Sequence, residues 1–270
     1  DSKELLEEYG IHAEACNSEA AACAMLAASI NYPIRGAVVW KSTVGTNVAA
    51  DALSNVASSG VVGGSLIIIG EDYGEGASII QERSHGFAMK STMWLMDPKP
   101  ELPTMVRMVE KGFEMSEASS TPVMMELRIR TCHVHGSFEA KDNRPGVHSG
   151  LNQIENADFD YGRLAHPPSS FAQEKHKVEI RRPNAEKFIT DNGLNELTHG
   201  TRGDIGLILQ GGLFNTVQRA LSLLGLGDAF GGAEIPRLVL NVVHPLVPSE
   251  IERFCAGKQA VLVIEEGNPE

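Results

Sequence analysis

The residues whose types and spacing could do chemistry crowd into one stretch, 16–47. It reads Cys16-Asn-Ser-Glu, an alanine-rich run to Ser29, a turn over 31–36, a short apolar strand over 37–40, and a polar loop over 41–45. Asn17 or Ser18 is placed to cap a helix, with Glu19 in its first turn. Lys41, Ser42, Thr43 and Asn47 bring a cation, two hydroxyls and an amide to the end of the strand, and Gly45 lets backbone approach closely. In an open parallel α/β sheet that end is the ligand edge, because helix N-termini and free backbone amides converge there. An acid and a polar loop are therefore expected at the same end of one sheet. Taken alone, Glu19 also reads as a first-turn acid that complements the helix dipole. The loop likewise reads as an ordinary strand-to-helix connection capped at Thr46.

Two further clusters carry chemical types. Gln81, Glu82, Arg83 and His85 form a polar row inside the segment 77–90. Cys132-His133-Val134-His135 has metal-ligand types, but on a strand Cys132 and Val134 share one face and the two histidines the other, so no metal site is expected there. The four cysteines form no Cys-x-x-Cys unit and read as reduced thiols.

The elements that position these residues alternate. A helix over 2–9 ends at Gly10. A helix over 46–59 leads to the unbroken apolar run 65–69, typical of a parallel strand covered on both faces. A glycine- and acid-rich loop over 70–76 follows, then a strand over 92–96, a helix over 101–116 and a strand over 123–129. This rhythm predicts a doubly wound sheet over 1–138. Residues 139–200, with Pro145, Pro167, Pro168 and Pro183, read as a Pro-rich linker with a short strand near 177–181. A second α/β unit is expected over 201–270, so the fold class is α/β with two doubly wound parallel-sheet domains.

Composition narrows the partners. With 42% hydrophobic and 21% charged residues the 270-residue chain is ordinary for a globular protein, and a formal charge of −12 argues against nucleic acid or an anionic membrane surface. No run approaches the roughly 20 apolar residues of a membrane span, and Asp1-Ser-Lys-Glu-Leu-Leu-Glu-Glu is too acidic for a signal peptide, so a cytoplasmic setting is expected.

Four stretches, in order, resemble one family. They are Asn17-Ser-Glu-Ala-Ala-Ala with Val38-Val-Trp-Lys-Ser-Thr-Val-Gly-Thr-Asn-Val-Ala-Ala-Asp; Gly63-Gly-Ser-Leu-Ile-Ile-Ile-Gly-Glu-Asp; the Gln-Glu-Arg loop at 81–83; and Val243-His-Pro-Leu-Val-Pro with Val261-Leu-Val-Ile-Glu-Glu-Gly-Asn-Pro. Together they resemble the 2-oxoacid:ferredoxin oxidoreductases, most closely the large subunit of indolepyruvate ferredoxin oxidoreductase, over 1–135 and 200–270. The resemblance implies a partial pyrimidine-binding domain for thiamine diphosphate, followed by a transketolase C-terminal-like domain. It implies oxidative decarboxylation of a 2-oxo acid, here an arylpyruvate, to an acyl-CoA, with electrons passing through iron–sulfur clusters elsewhere in the complex to ferredoxin. Glu19 falls where the family hydrogen-bonds a ring nitrogen of the aminopyrimidine and favours the imino tautomer. Ser42, Thr43, Gly45 and Asn47 fall beside the cofactor, and Lys41, Gln81, Arg83 and His85 beside the substrate. Ile79 and Ile80 replace polar residues of the family and point to an apolar substrate side chain. The diphosphate and Mg²⁺ site is expected outside this segment, since Gly227-Asp228-Ala is not the family's Gly-Asp-Gly. The chain is thus expected to be part of a larger subunit, inactive alone, working with a second subunit or as a homodimer. The other expectations are a non-catalytic binding or scaffold subunit, or another thiamine diphosphate enzyme component of transketolase or dehydrogenase type.

Overall fold

The computed structural model describes residues 2–72, 83–152, 154 and 159–266. Among them, β1 (Gly36–Lys41), β2 (Ser65–Glu71), β3 (Trp94–Met96), β4 (Val123–Arg128) and β8 (Val242–His244) form one sheet of order β1-β2-β4-β3-β8. The first four run parallel, and β8, from the 201–270 stretch, pairs antiparallel with β3 through Leu95 and His244. A second sheet has the order β5-β7-β6-β9, from β5 (Glu196–Thr198), β6 (Ile205–Gln210), β7 (Arg237–Leu240) and β9 (Ala260–Ile264). Here β7, β6 and β9 are parallel and β5 is an antiparallel edge. Mostly parallel sheets with an antiparallel edge strand bear out the α/β class.

The apolar run of β2 splits between two cores because strand side chains alternate faces. Ile67 and Ile69 join Met124 of β4 on the face covered by α2 (Glu19–Leu26) and α3 (Ala50–Ser59), with Cys23, Leu53 and Val56. Leu66 joins Val123 and Met125 on the opposite face, under Met108 and Met115 of α5 (Leu102–Ser119). Each such fully buried aliphatic side chain contributes about 1.5–3 kcal/mol. The second sheet packs α9 (Phe214–Leu223) on one face through Phe214, Val217 and Leu221. It turns Ile208 and Leu238, with Phe254 of α10 (Pro248–Cys255), toward the core of the first. The short helix α1 (Lys3–Glu8) ends at Gly10, whose φ of +66° favours glycine.

Three expectations are corrected. The segment 177–181 is no strand: α7 (Ser169–His176), a π-helical turn Lys177–Arg181 and α8 (Arg182–Asn192) follow one another, with Pro183 in the first turn of α8. The alternation Lys-Val-Glu-Ile-Arg imitates a strand, but Lys177 and Arg181, four apart, turn inward while Val178 and Ile180 are 68% and 47% exposed. Arg181 donates to the carbonyls of Ala57, Ser58 and Ser59 at the C-terminus of α3, and Lys177 to Ser91 O at the end of α4 (Ser84–Ser91). Helix C-termini draw cations inward because their last carbonyls lack partners. The helix expected over 46–59 begins later, at Ala50, because 42–46 winds into a π-helical turn. Cys132 is not on a strand; β4 stops at Arg128 and Cys132 closes the single turn α6 (Ile129–Cys132).

Candidate active site at the carboxyl edge of the first sheet

Register brings the chemistry together. Lys41 lies opposite Gly70, Glu71 opposite Arg128, and Met96 opposite Met125, so the strand ends carrying Lys41, Glu71, Arg128 and Asp97 form one edge. The α2 helix packs against β1 and the 42–46 turn, which sets its N-terminus at that edge. Ser18 caps it, its hydroxyl accepting from Ala21 N at 3.2 Å. Glu19 opens the helix half-buried, with no hydrogen bond or ion pair to another described residue.

The 42–46 turn is fixed from beneath by Trp40. The indole Nε1 donates to Thr46 Oγ1 at 3.2 Å, and a Cβ on Gly45 would overlap the ring. Thr46 is thus taken up by Trp40 instead of capping a helix. Ser42 is buried and donates to Glu71 at 2.8 Å, while the exposed Lys41 pairs with Asp72 at 3.5 Å. Thr43 lies within the turn and Asn47, exposed, directly after it. Arg83 precedes α4 and is exposed; Gln81, Ile79, Ile80 and Glu82 lie outside the described residues.

His85 turns inward. It is 1% exposed, with Nδ1 3.7 Å from Glu126 and Nε2 3.2 Å from the Gln210 amide. Burial pushes its pKa down, helped by repulsion from Arg128 and Arg83 and opposed by Asp97. A neutral imidazole suits this geometry, since Nε2 can then accept from the Gln210 amide. Burial pushes the Glu71 carboxyl up, against the hydrogen bonds from Ser84 and Ser42 and the charge of Arg128.

Arg128 is the hub, and nothing in the local pattern announces it. Its guanidinium, 2% exposed, engages Asp97 through two nitrogens, Gln210 at 2.8 Å, Glu266 at 2.6 Å and Glu126 at 3.4 Å. Gln210 also accepts from Glu266 N at 3.0 Å, so ends of β4, β6 and β9 are tied together. Glu71, Glu126, Arg128 and Asp97 escaped the sequence reading. Their signal was a charge ending or interrupting an apolar strand, as in Val123-Met-Met-Glu-Leu-Arg, where a buried charge demands partners. Among the described residues no group of three or more His, Cys, Asp or Glu is arranged to hold a metal.

Two mostly parallel sheets, each with an antiparallel edge strand, form a fold that a solved structure shares. A 2-oxoglutarate:ferredoxin oxidoreductase from Magnetococcus marinus, solved with 2-oxoglutarate, coenzyme A and succinyl-CoA bound, has the same fold. It matches with a TM-score of 0.63 over 99% of this chain and 52% of its own, at 16% identity. More particularly, the chain resembles indolepyruvate oxidoreductase subunit IorA. The protein from Methanothermobacter marburgensis is 27% identical over 265 residues, covering 97% of this chain and 40% of the relative. The one from Methanothermobacter thermautotrophicus is 26% identical over 267 residues, 98% of this chain and 41% of the relative. The chain thus spans about 40% of the length of these relatives. No protein-family profile matches it. No described helix is long and apolar enough to cross a membrane.

Proposed function

We propose that this chain is the pyrimidine-binding portion of a thiamine diphosphate-dependent 2-oxoacid:ferredoxin oxidoreductase acting on an arylpyruvate such as indolepyruvate. One observation carries the reading: Glu19, a half-buried carboxylate without a hydrogen-bond or ion-pair partner among the described residues, opens a helix packed beside the 42–46 turn. A carboxyl group so placed fits a ring nitrogen that shares a proton with it. The cofactor, when bound, supplies the electron sink for decarboxylation.

The chain's own residues bind and orient. Glu19 holds a proton at the aminopyrimidine nitrogen. Gly45, buried against the Trp40 indole, lets the turn pack close on that ring and so presents the backbone around Thr43 and Asn47 toward the cofactor. Lys41 is exposed enough to exchange Asp72 for a substrate carboxylate, with Arg83 as the second cation. His85, buried against Gln210, acts by supporting α4 from behind. The diphosphate, Mg²⁺ and iron–sulfur sites are assigned to other parts of the complex, as is the handling of coenzyme A and ferredoxin. Val39 on the β1 edge, 71% exposed, and Leu262 and Val263 on the β9 edge, 60% and 55% exposed, support a further domain or second subunit packing there.

Turnover of the complete protein tests the reading, with indolepyruvate, coenzyme A and oxidised ferredoxin, with and without thiamine diphosphate and Mg²⁺. Ferredoxin reduction is expected to require the cofactor, and Glu19→Gln to lower kcat about 10²- to 10⁴-fold. Cofactor-independent turnover, or full activity in Glu19→Gln, would point to the scaffold reading or to unrelated chemistry.

A further inference from the structure

Two hydrogen bonds on one carboxylate carry the inference. Glu71 ends β2 and is 1% exposed. One oxygen accepts from Ser42 Oγ at 2.8 Å, and the other from the backbone N–H of Ser84 at 3.2 Å. Ser42 begins the turn after β1, and Ser84 is the first residue of α4. One side chain therefore grips the two segments that flank β2 at the ligand edge, and Asp72 adds a tie to Lys41.

The preceding residues show what stability alone would select. Leu66, Ile67 and Ile69 of the same strand are fully buried and apolar. A buried carboxylate costs free energy unless its hydrogen bonds are all made, and an apolar residue of similar volume is often as stable or more so. What an apolar residue cannot do is fix a turn and a helix start at once.

We propose that Glu71 is a positioning residue: its carboxylate holds the 42–46 turn and the N-terminus of α4 in register, and so sets how tightly cofactor and 2-oxo acid are held without touching either. This rests on the reading of the 42–46 turn given above. It has a corollary for Ser42. The hydroxyl's single proton is committed to Glu71, so toward a ligand Ser42 can only accept.

The test uses two variants of the complete protein. Glu71→Gln retains an oxygen for Ser84 N–H and an amide that can donate to Ser42; Glu71→Asp keeps the charge but is too short to reach both. Hydrogen exchange of peptides spanning 42–46 and 84–88 is expected to quicken in both segments together in Glu71→Asp and to stay near wild type in Glu71→Gln. The KM for thiamine diphosphate is expected to rise about tenfold or more in Glu71→Asp, with a smaller change in kcat, and to recover in Glu71→Gln. Unchanged exchange and KM in Glu71→Asp, or a Glu71→Gln protein no better than Glu71→Asp, would overturn the proposal. Should Glu71→Asp not fold, Glu71→Leu takes its place, and exchange left unchanged in both segments would overturn the proposal equally. Wild-type turnover that ignores thiamine diphosphate would refute the functional reading instead, and the exchange data would still judge the clamp.

Discussion

Replacing Arg128 with methionine removes the only described contact set that ties Asp97, Glu126, Gln210 and Glu266 to one cation, while keeping an unbranched side chain in the space. Asp97 and Glu126 are 1% exposed, so neither can turn to water for compensation. Removing one partner of a buried ion pair costs about 3–5 kcal/mol, because a charge is left in a poorly polarisable interior. At about 2–4 °C per kcal/mol for a chain of this size, the melting temperature should fall by roughly 6–20 °C. The neighbour Arg130 provides the control: it meets the same Glu266 at 3.3 Å, but its side chain is 36% exposed. Its replacement by methionine should cost at most about 1 kcal/mol. Because the penalty is one of uncompensated charge, Asp97→Asn in the Arg128→Met background should recover part of the loss, a coupling that a double-mutant cycle measures. Scanning calorimetry is the assay. An Arg128→Met protein that melts within about 3 °C of Arg130→Met, or no recovery with Asp97→Asn, would refute the hub as the link between the two sheets.

Other outcomes follow from single sites. Burial pushes the pKa of His244 down to about 4 from an ordinary 6.5, so the unfolded chain takes up a proton before the native one does. The stabilising contribution is therefore complete above pH 6.5 and lost as the pH falls from there through about 4, with a slope of at most about 1.4 kcal/mol per unit. His85 acts in the same direction. Glu71, pushed up by burial, acts oppositely: its contribution is complete at low pH and lost as the pH rises through its native value. Denaturant titrations across this range should show a shallower acid loss in His244→Phe; an unchanged slope would count against the assignment. Gly45→Ala forces a methyl into the Trp40 indole, so the turn or the ring must shift. Tryptophan emission should change and thiamine diphosphate should bind more weakly in the complete protein; an unaltered spectrum with wild-type affinity would mean the turn yields freely.

Much of the frame was legible because local pattern and final environment agree. The apolar run 65–69 became a doubly covered strand, and the helix expected over 101–116 became α5, which runs on to Ser119. The acid of α2 and the 42–46 turn were found together because both follow from strand-helix alternation and the rule that ligands sit at carboxyl edges. What escaped depends on distant partners. The carboxyl-edge cluster joins Arg128 to Gln210 and Glu266, and the antiparallel pairing of β3 with β8 sets Leu95 opposite His244, partners that no short window of sequence contains. The strand expected over 177–181 failed for a related reason. Its apolar residues face solvent, while Lys177 and Arg181 are drawn inward by helix ends elsewhere in the chain.

The central claim is that Glu19 meets the aminopyrimidine, and calorimetric titration of thiamine diphosphate with Mg²⁺ into the complete protein tests it most directly. Wild type should bind, and Glu19→Gln should bind about 10- to 100-fold more weakly, the loss expected when a charged hydrogen bond is weakened. Equal affinity in the two proteins, within about twofold and so well under 1 kcal/mol, would contradict the account.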